Sequence, residues 1–469
     1  MTLIFKRLSK LILVSLSLYS GTGCKKSFLD KKPATDILVP STISDFRKLL
    51  EYTDRINQTP GLPQLASDEY YVDSTTWQAS TSSTQRNSYI WAQDIFGGEA
   101  QRLDWNRPYF SVFNANCVLN GLNSITRDNS NQNDFDDTKG WALFVRAYAF
   151  FNLAKSFSPV YDSLTAATDL GIPIRLTPNI DEIAQRSSVK ETYDRILSDL
   201  NEASLLLSPT FPAANRNRPW RAAAHALFAR IYLSMRKYDK AEFYVDKCLQ
   251  VYDTLLDYNT GPPTIMNNNT PFAINTPESI FWSTQVYNYG FTSYRITPGF
   301  VDSNLIKSYA SNDLRLSRKY FIPAGGTPGK YKPKNGYSPS GLYPYSGLAT
   351  NEMYLIKSEC LARRDMIAEA MNTLNKLLRK RHTNTFINLT ASSRQEALSK
   401  IFTERRKELV WTGLRWDDLR RLNKEGITNV TLQRILNGQL YTLPPNDPRY
   451  TFPIPDDEIA LSGIQQNIR

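Results

Sequence analysis

Two segments of the chain carry the same spacing of small and apolar residues, and this repeat constrains the fold more than any other sequence feature. In RAAAHALFARIYLSMRKYDKAEFYVDKCLQ, steps of three, nine, four and three join Ala229, Tyr232, Ala241, Val245 and Cys248. In NEMYLIKSECLARRDMIAEAMNTLNKLLRKR, the same steps join Ser358, Leu361, Ala370, Leu374 and Leu377. Small side chains at these steps lie where two antiparallel helices cross and allow the helices to approach closely.

This spacing is typical of the tetratricopeptide repeat, although two generic amphipathic hairpins are the alternative. Helical periodicity also marks STISDFRKLLEY, DDTKGWALFVRAYAFFNLAKSF, which we expect to be strongly amphipathic, and SVKETYDRILSDLNEASLLL. The last segment begins with a capping box, because Glu191 follows Ser188 by three residues. We therefore predict a mainly all-α fold in which tetratricopeptide-like helical pairs form a superhelical scaffold with little β structure.

The segments between the helical pairs have a different composition. YNTGPPTIMNNNTPFAINTPE and FIPAGGTPGKYKPKNGYSPSGLYPYSG are rich in Gly, Pro, Asn and Ser, and YVDSTTWQASTSSTQRNSYIWAQDIFGG has no helical period. We expect these segments to be large irregular loop insertions. They hold many aromatic residues, which would then lie over the helical scaffold.

The N-terminus has the pattern of a secretory signal. Three cations, Lys6, Arg7 and Lys10, precede a short apolar run, and small residues follow it up to Cys24. This order resembles the lipobox of bacterial lipoproteins, although Gly21 stands where Leu is typical. We expect residues 1–23 to be removed as a signal peptide and Cys24 to carry palmitate or another acyl chain as a membrane anchor. An ordinary cleaved signal is the alternative.

Composition narrows the classes of function. The formal net charge is +11 and falls to +8 without the three leader cations, but Lys and Arg are not clustered. We therefore expect no nucleic-acid partner. The two histidines, His225 and His382, have no metal-ligand spacing, so no metal and no cofactor is predicted. Cys117, Cys248 and Cys360 are scattered, which favours small buried thiols over a disulfide framework.

Five ordered segments resemble the SusD/RagB family, nutrient-binding lipoproteins of the Bacteroidetes outer membrane. They are CKKSFLDKKP, WALFVRAYAFFNLAKSFSPV, EMYLIKSECLAR, ERRKELVWTGLRWDDLRRL and FPIPDDEIALSGIQQNIR. The fourth is the most specific, and only Thr412 departs from the usual Glu. The resemblance implies one SusD-like domain over residues 24–469. It divides into an N-terminal half to about residue 260, a loop-rich insertion to about 348 and a C-terminal helical half.

The charged residues of the fourth segment have a structural interpretation. Arg405 lies on the apolar stripe between Ile401 and Leu409, where an unpaired charge is costly, and Glu408 or Asp418 could pair with it. The alternative is an acid/base pair for glycoside hydrolysis. We favour a motif that locks helices together, made of Glu404, Arg405, Glu408, Arg415, Trp416 and Asp418.

Two loop regions supply candidate ligand contacts, because flat rings cover the apolar face of a sugar and polar groups bind its hydroxyls. The first region offers Asp68, Trp77, Arg86, Trp91, Trp105 and Asn106. The second offers Trp282, Tyr287, Tyr289 and Tyr294, followed by Tyr331 and Tyr337. Core packing or loop anchoring is the competing interpretation for any single ring.

The resemblance implies a binding protein rather than an enzyme. Such a protein captures a nutrient, here expected to be an oligosaccharide, and delivers it to a SusC-type TonB-dependent transporter. It would be lipid-anchored to the outer membrane and lie on its extracellular face. The alternatives are a peptide-binding member of the same family, a secreted all-helical glycosidase, and a helical-repeat scaffold that binds only other proteins.

Overall fold

The helices follow the order that the sequence predicts. The computed structural model describes residues 40–100, 102–260, 276–286, 289–294, 297–316, 320–334, 337 and 342–469. The predicted signal peptide, residues 1–23, and the predicted lipid attachment site, Cys24, lie outside the described residues. Thr42 to Arg469 form one compact unit.

Helices make up most of the regular structure. In chain order the described helices are α1 (Ile43–Leu50), α2 (Thr53–Ile56), α3 (Leu62–Ala66), α4 (Ser74–Ala79), α5 (Ser83–Tyr89), α6 (Leu103–Leu122), α7 (Gln132–Phe157), α8 (Val189–Leu206), α9 (Arg221–Ser234), α10 (Tyr238–Val251), α11 (Ser303–Lys307), α12 (Thr350–Arg363), α13 (Ile367–Leu378), α14 (Arg394–Glu408), α15 (Arg415–Lys424) and α16 (Asp456–Ser462). Within the described ranges, none of them combines the length and the apolar character needed to cross a bilayer.

Helix α7 corrects one expectation from the sequence. We expected a strongly amphipathic helix with one buried face, but every side chain from Gly140 to Ala154 is buried. Neighbouring helices cover α7 on all sides, and a helix in that position is apolar all round. Its one cation in this stretch, Arg146, is neutralised by Asp199 of α8 at 2.7 Å. Helix α7 is therefore the central helix of the scaffold.

The two predicted helical pairs are α9–α10 and α12–α13. Their turns have the same length, and the middle residue of each has the same backbone conformation. Each turn has three residues, and the middle residue is left-handed: Arg236 has φ 61° and Asp365 has φ 66°. The small residues at the crossings are fully buried, among them Ala229, Ala241 and Ala370. The prediction of tetratricopeptide-like pairs is confirmed, and successive helices pack in the order α6, α7, α8, α9, α10, α12, α13.

Strands are short and pair only in twos among the described residues. They are β1 (Gln58–Thr59), β2 (Tyr70–Tyr71), β3 (Leu170–Pro173), β4 (Arg186–Ser188), β5 (Ser279–Phe281), β6 (Thr284–Gln285), β7 (Phe300–Val301), β8 (Phe321–Pro323), β9 (Tyr331–Pro333), β10 (Leu348–Ala349), β11 (Leu432–Leu436) and β12 (Gln439–Leu443). The pairs are β1–β6, β2–β7, β3–β4, β5–β10, β8–β9 and β11–β12. This confirms the prediction of little β structure.

Two of these pairings join distant parts of the chain. Strand β1 pairs in parallel with β6, and β2 pairs antiparallel with β7, with Tyr71 opposite Phe300. The N-terminal loops are thereby laid side by side with the insertion that follows α10. We call the described residues of these joined segments, within 58–100 and 276–349, the loop layer.

Candidate functional site

Most of the aromatic candidates are buried in the loop layer or beneath it. The exposed fraction is 1% for Trp91, 2% for Trp105, 7% for Trp282, 6% for Tyr289 and 2% for Tyr294. Rings enclosed in this way offer no open face to a ligand in this structure, which favours loop anchoring over ligand contact for these five. Tyr287 lies outside the described residues.

Hydrogen bonds show how these rings anchor the loops. The indole N–H of Trp91 donates to the Ala66 carbonyl at 2.9 Å, and that of Trp282 donates to the Tyr337 carbonyl at 3.0 Å. The Tyr289 hydroxyl donates to the Asp104 carboxylate at 2.6 Å. Each bond satisfies the polar atom of a buried ring, which would otherwise be costly to desolvate.

Asp68 forms ion pairs with arginines of the charged segment in the C-terminal half. Its carboxylate accepts two hydrogen bonds from Arg415, at 2.8 and 2.9 Å, and one from Arg406 at 3.1 Å. Burial alone would raise the pKa of Asp68, but the two guanidinium groups outweigh it and hold that pKa well below its usual value. Asp68 therefore joins the loop layer to the start of α15.

The charged residues of the motif pair partly with one another and partly with charged residues elsewhere in the chain. Of the two carboxylates that the sequence offers to Arg405, the partner is Asp418, at 2.8 Å from its Nε. Glu408 instead accepts from Arg315 and Arg381. Glu404 also pairs with Arg315, and the buried Trp416 donates its indole N–H to the Tyr450 carbonyl. These contacts tie α14 and α15 to the rest of the scaffold.

Trp77 and Arg86 are brought together at the outer side of the loop layer. The indole N–H of Trp77 donates to the Arg86 carbonyl at 3.0 Å, which holds α4 against α5. Both side chains are half-buried, so part of the Trp77 ring faces solvent. Trp77 is thus the one candidate tryptophan whose ring remains partly accessible.

Trp105 and Asn106 were predicted to lie in a loop region, but they belong to helix α6. They line a groove of about 580 Å³ between α6, residues 173–184 and α16. Trp105 forms part of the floor and donates its indole N–H to Glu458 at 3.1 Å, whereas Asn106 is exposed. The sequence candidates therefore divide between the loop layer and this groove.

The structure adds a pair of rings that the sequence candidates omit. Tyr71 and Phe300 face each other across the β2–β7 pair, with ring centroids 5.6 Å apart and planes inclined by 39°. Both are half-buried, and their outer sides face solvent. The Lys330 ammonium lies 4.5 Å from the Phe300 centroid and 5.9 Å from that of Tyr71. We call Tyr71, Phe300 and Lys330 the aromatic surface.

Sequence reasoning missed the aromatic surface because its signal is too short. Tyr70 and Tyr71 are consecutive strand residues, so they point to opposite sides. Tyr70 is fully buried, whereas Tyr71 faces outward. A strand of two residues shows no alternation that could be read from the sequence, and Phe300 is supplied by a distant segment.

The groups at the aromatic surface are suited to binding. Two rings offer an apolar platform, and polar groups at the edge fix the orientation of a ligand. Asp73 interacts electrostatically with Lys330 and caps α4 by accepting from the Thr76 backbone N–H at 2.7 Å. That bond, together with Lys330, holds the pKa of Asp73 below its ordinary value, so the group stays ionised. Within the described ranges, no cluster of side chains is arranged to hold a metal ion.

Comparison with known proteins agrees with this architecture. A family model described as starch-binding and associating with outer membrane matches residues 27–233, and a model of the SusD family matches residues 348–468. The SusD-like protein P38 of Formosa agariphila is 24% identical over 395 residues, which cover 69% of this chain and 72% of that protein.

Solved structures of SusD superfamily proteins have the same fold as this chain. A SusD superfamily protein from Bacteroides thetaiotaomicron VPI-5482 superposes with a TM-score of 0.71 at 21% identity, covering 91% of this chain and 100% of its own. A SusD-like carbohydrate binding protein from Bacteroides vulgatus ATCC 8482 superposes with a TM-score of 0.69 at 20% identity, covering 90% and 97%. At these identities the likeness establishes the fold.

Proposed function

The chain belongs to the SusD family, and from that premise we propose that it is an outer-membrane lipoprotein that binds an oligosaccharide and delivers it to a SusC-type TonB-dependent transporter. The family is one of carbohydrate-binding proteins that associate with the outer membrane. The aromatic surface is the observation that carries the proposal for this chain. It presents two half-buried rings on the loop layer, outside the helical core.

A sugar ring would stack on this surface through its C–H face. Tyr71 and Phe300 are already fixed by strand pairing, so little conformational entropy is lost when a ligand stacks on them. Trp77, four residues beyond Asp73, is a further proposed contact at the edge. The other sequence candidates remain predictions, and the exposed Asn106 would contact a ligand in a separate subsite, the groove whose floor includes the buried Trp105.

We predict that replacing both Tyr71 and Phe300 with alanine weakens oligosaccharide binding by at least tenfold. Two ring contacts at about 1 kcal/mol each account for a loss of this size. Isothermal titration calorimetry of the purified protein against a panel of neutral and acidic oligosaccharides measures the effect.

Phe243→Ala is the matched control, because Phe243 is an exposed ring on α10, away from the loop layer, and is 53% exposed. It should bind as tightly as the native protein. Unchanged affinity in the double variant, with an intact helical circular dichroism spectrum, would show that the aromatic surface is not the binding site.

The anchor and the transporter partner require experiments of their own. Labelled palmitate should be incorporated by the native chain and not by Cys24→Ser. Crosslinking on intact cells followed by purification should recover an outer-membrane barrel protein together with the native chain. Protease accessibility on the same cells tests the proposed extracellular face.

An assay for reducing ends, the calorimetric titrations and the capture experiment together distinguish the alternative functions. New reducing ends after incubation with polysaccharides would indicate a glycosidase. However, the ionised Asp73 is a poor general acid, because that role requires a raised pKa. Heat released only on adding peptides would indicate the peptide-binding alternative. Flat titrations with every ligand, together with capture of a partner that is not a transporter, would indicate a scaffold protein.

A further inference from the structure

Lys330 stands out because its ammonium group covers aromatic rings that belong to other strands. It precedes β9, whereas Tyr71 is in β2 and Phe300 is in β7. A lysine on a helix often meets a ring one turn away, as Lys247 does at 4.5 Å from Phe243. The contacts of Lys330 have no such local origin, since the fold brings three separate segments together to form them.

The charge of Lys330 is not neutralised by an ion pair. Throughout the described part of the chain, no carboxylate lies within salt-bridge distance of its ammonium, although Asp73 is near enough to interact electrostatically. By contrast, two other half-buried cations close to the loop layer, Arg406 and Arg415, both pair with Asp68. Lys330 is therefore a cation beside an apolar platform that has capacity left for an anion.

A second lysine fixes the position of the first. Lys332 donates from its ammonium to the Thr297 carbonyl at 2.9 Å, which ties the β8–β9 hairpin to the segment that carries Phe300. Lys330 itself is held in the hairpin, because the Ala324 backbone N–H donates to the Lys330 carbonyl at 2.9 Å. The hairpin thus holds Lys330 over the rings, and the positive charge of Lys332 lies nearby.

We infer that the ligand of the aromatic surface is an anionic oligosaccharide, with a carboxylate or sulfate group that binds Lys330 while its ring stacks on Tyr71 and Phe300. This inference rests on the proposed function and specifies its ligand class. A neutral sugar would leave the ammonium without an ion-pair partner, with only the electrostatic interaction with Asp73, whereas an acidic sugar provides such a partner at the edge of the platform. The formal net charge, which is +8 without the three leader cations, also favours the approach of anionic chains.

The test compares ligands that differ only in charge. Oligogalacturonate and the same oligomer with methyl-esterified carboxylates form one pair, and sulfated and desulfated carrageenan oligosaccharides form the other. At low salt we expect at least a fivefold preference for the charged member of one pair, since a charge-assisted contact of this kind is worth that much. The preference should shrink in 0.5 M NaCl through screening. The pair that shows it identifies the anion as carboxylate or sulfate.

Three variants assign the preference to Lys330. Lys330→Met should abolish the preference for the charged member, and Lys330→Arg should retain it. Lys247→Met removes a lysine with the same ring distance on α10 and should have no effect. Equal affinity for charged and neutral members, unaltered by Lys330→Met, would overturn the inference while the proposed function stands. Failure of the native protein to bind any oligosaccharide would overturn both.

Discussion

Replacing Glu408 with alanine is expected to lower the free energy of unfolding by about 3–5 kcal/mol, because it removes a buried carboxylate that two buried arginines share. The carboxylate accepts from Arg381 at 2.9 Å, Arg315 at 3.2 Å, Asn351 at 2.9 Å and Tyr320 at 3.2 Å. Both arginines are fully buried. Urea unfolding, followed by helical circular dichroism, measures the loss.

Two further variants serve as an intermediate case and as a control for this prediction. Glu408→Gln keeps the shape of the side chain and an acceptor oxygen. Its free energy of unfolding should therefore lie between that of the alanine variant and that of the native protein. Glu202→Ala breaks an exposed pair with Lys139 and should change stability by at most about 1 kcal/mol. If Glu408→Ala were no more destabilising than Glu202→Ala, the buried charges would not hold the scaffold together.

Glu69→Gln is expected to change how stability depends on pH. Burial raises the pKa of Glu69 from 4.5 to about 7, against hydrogen bonds from the Gln64 amide and the Trp411 N–H, which lower it. The folded protein therefore binds more protons than the unfolded chain between pH 4.5 and 7, and native stability falls as the pH rises through this range. The corresponding loss above pH 7 is on the order of 3 kcal/mol.

The glutamine variant carries no such charge and should escape this loss. Its carbonyl oxygen can accept the same two hydrogen bonds, so at pH 8 it should be more stable than the native protein by up to that amount, and nearly equal at pH 4.5. Asp68→Asn is the control of opposite sign. The pKa of Asp68 is held down in the fold, so its contribution is present at neutral pH and is lost as the pH falls below its ordinary value. Parallel stability curves for the Glu69→Gln and native proteins between pH 4.5 and 8 would refute the assignment.

The helical scaffold could be predicted because its signals are local. The capping box at Ser188 and Glu191 is present in the structure. The repeated spacing of small and apolar residues marked both helical pairs, because close crossing of helices favours small side chains such as Ala229, Ala241 and Ala370. The partner of Arg405 could also be narrowed to two residues, since burial of a guanidinium demands a carboxylate nearby.

The loop layer could not be predicted to the same degree. Trp77 and Trp91 lie in the same polar stretch, yet Trp77 is half-buried and Trp91 is 1% exposed. The difference depends on which distant segment covers each ring, and strands of two residues leave no pattern that identifies their partners. For the same reason Phe300 and Lys330, which meet Tyr71 only in the folded chain, carried no sequence signal.

The pairing of β2 with β7 has an evolutionary consequence. Strands associate through main-chain hydrogen bonds, which every residue except proline can form, so the association does not depend on which side chains it displays. Mutation can therefore exchange the residues at positions 71 and 300 while the strands stay joined. Residues 234–347 lie between the two stretches that the family models match, and they include Phe300 and Lys330. Substitutions at a few positions there can therefore change the ligand specificity of a protein, while the helical scaffold beneath is conserved.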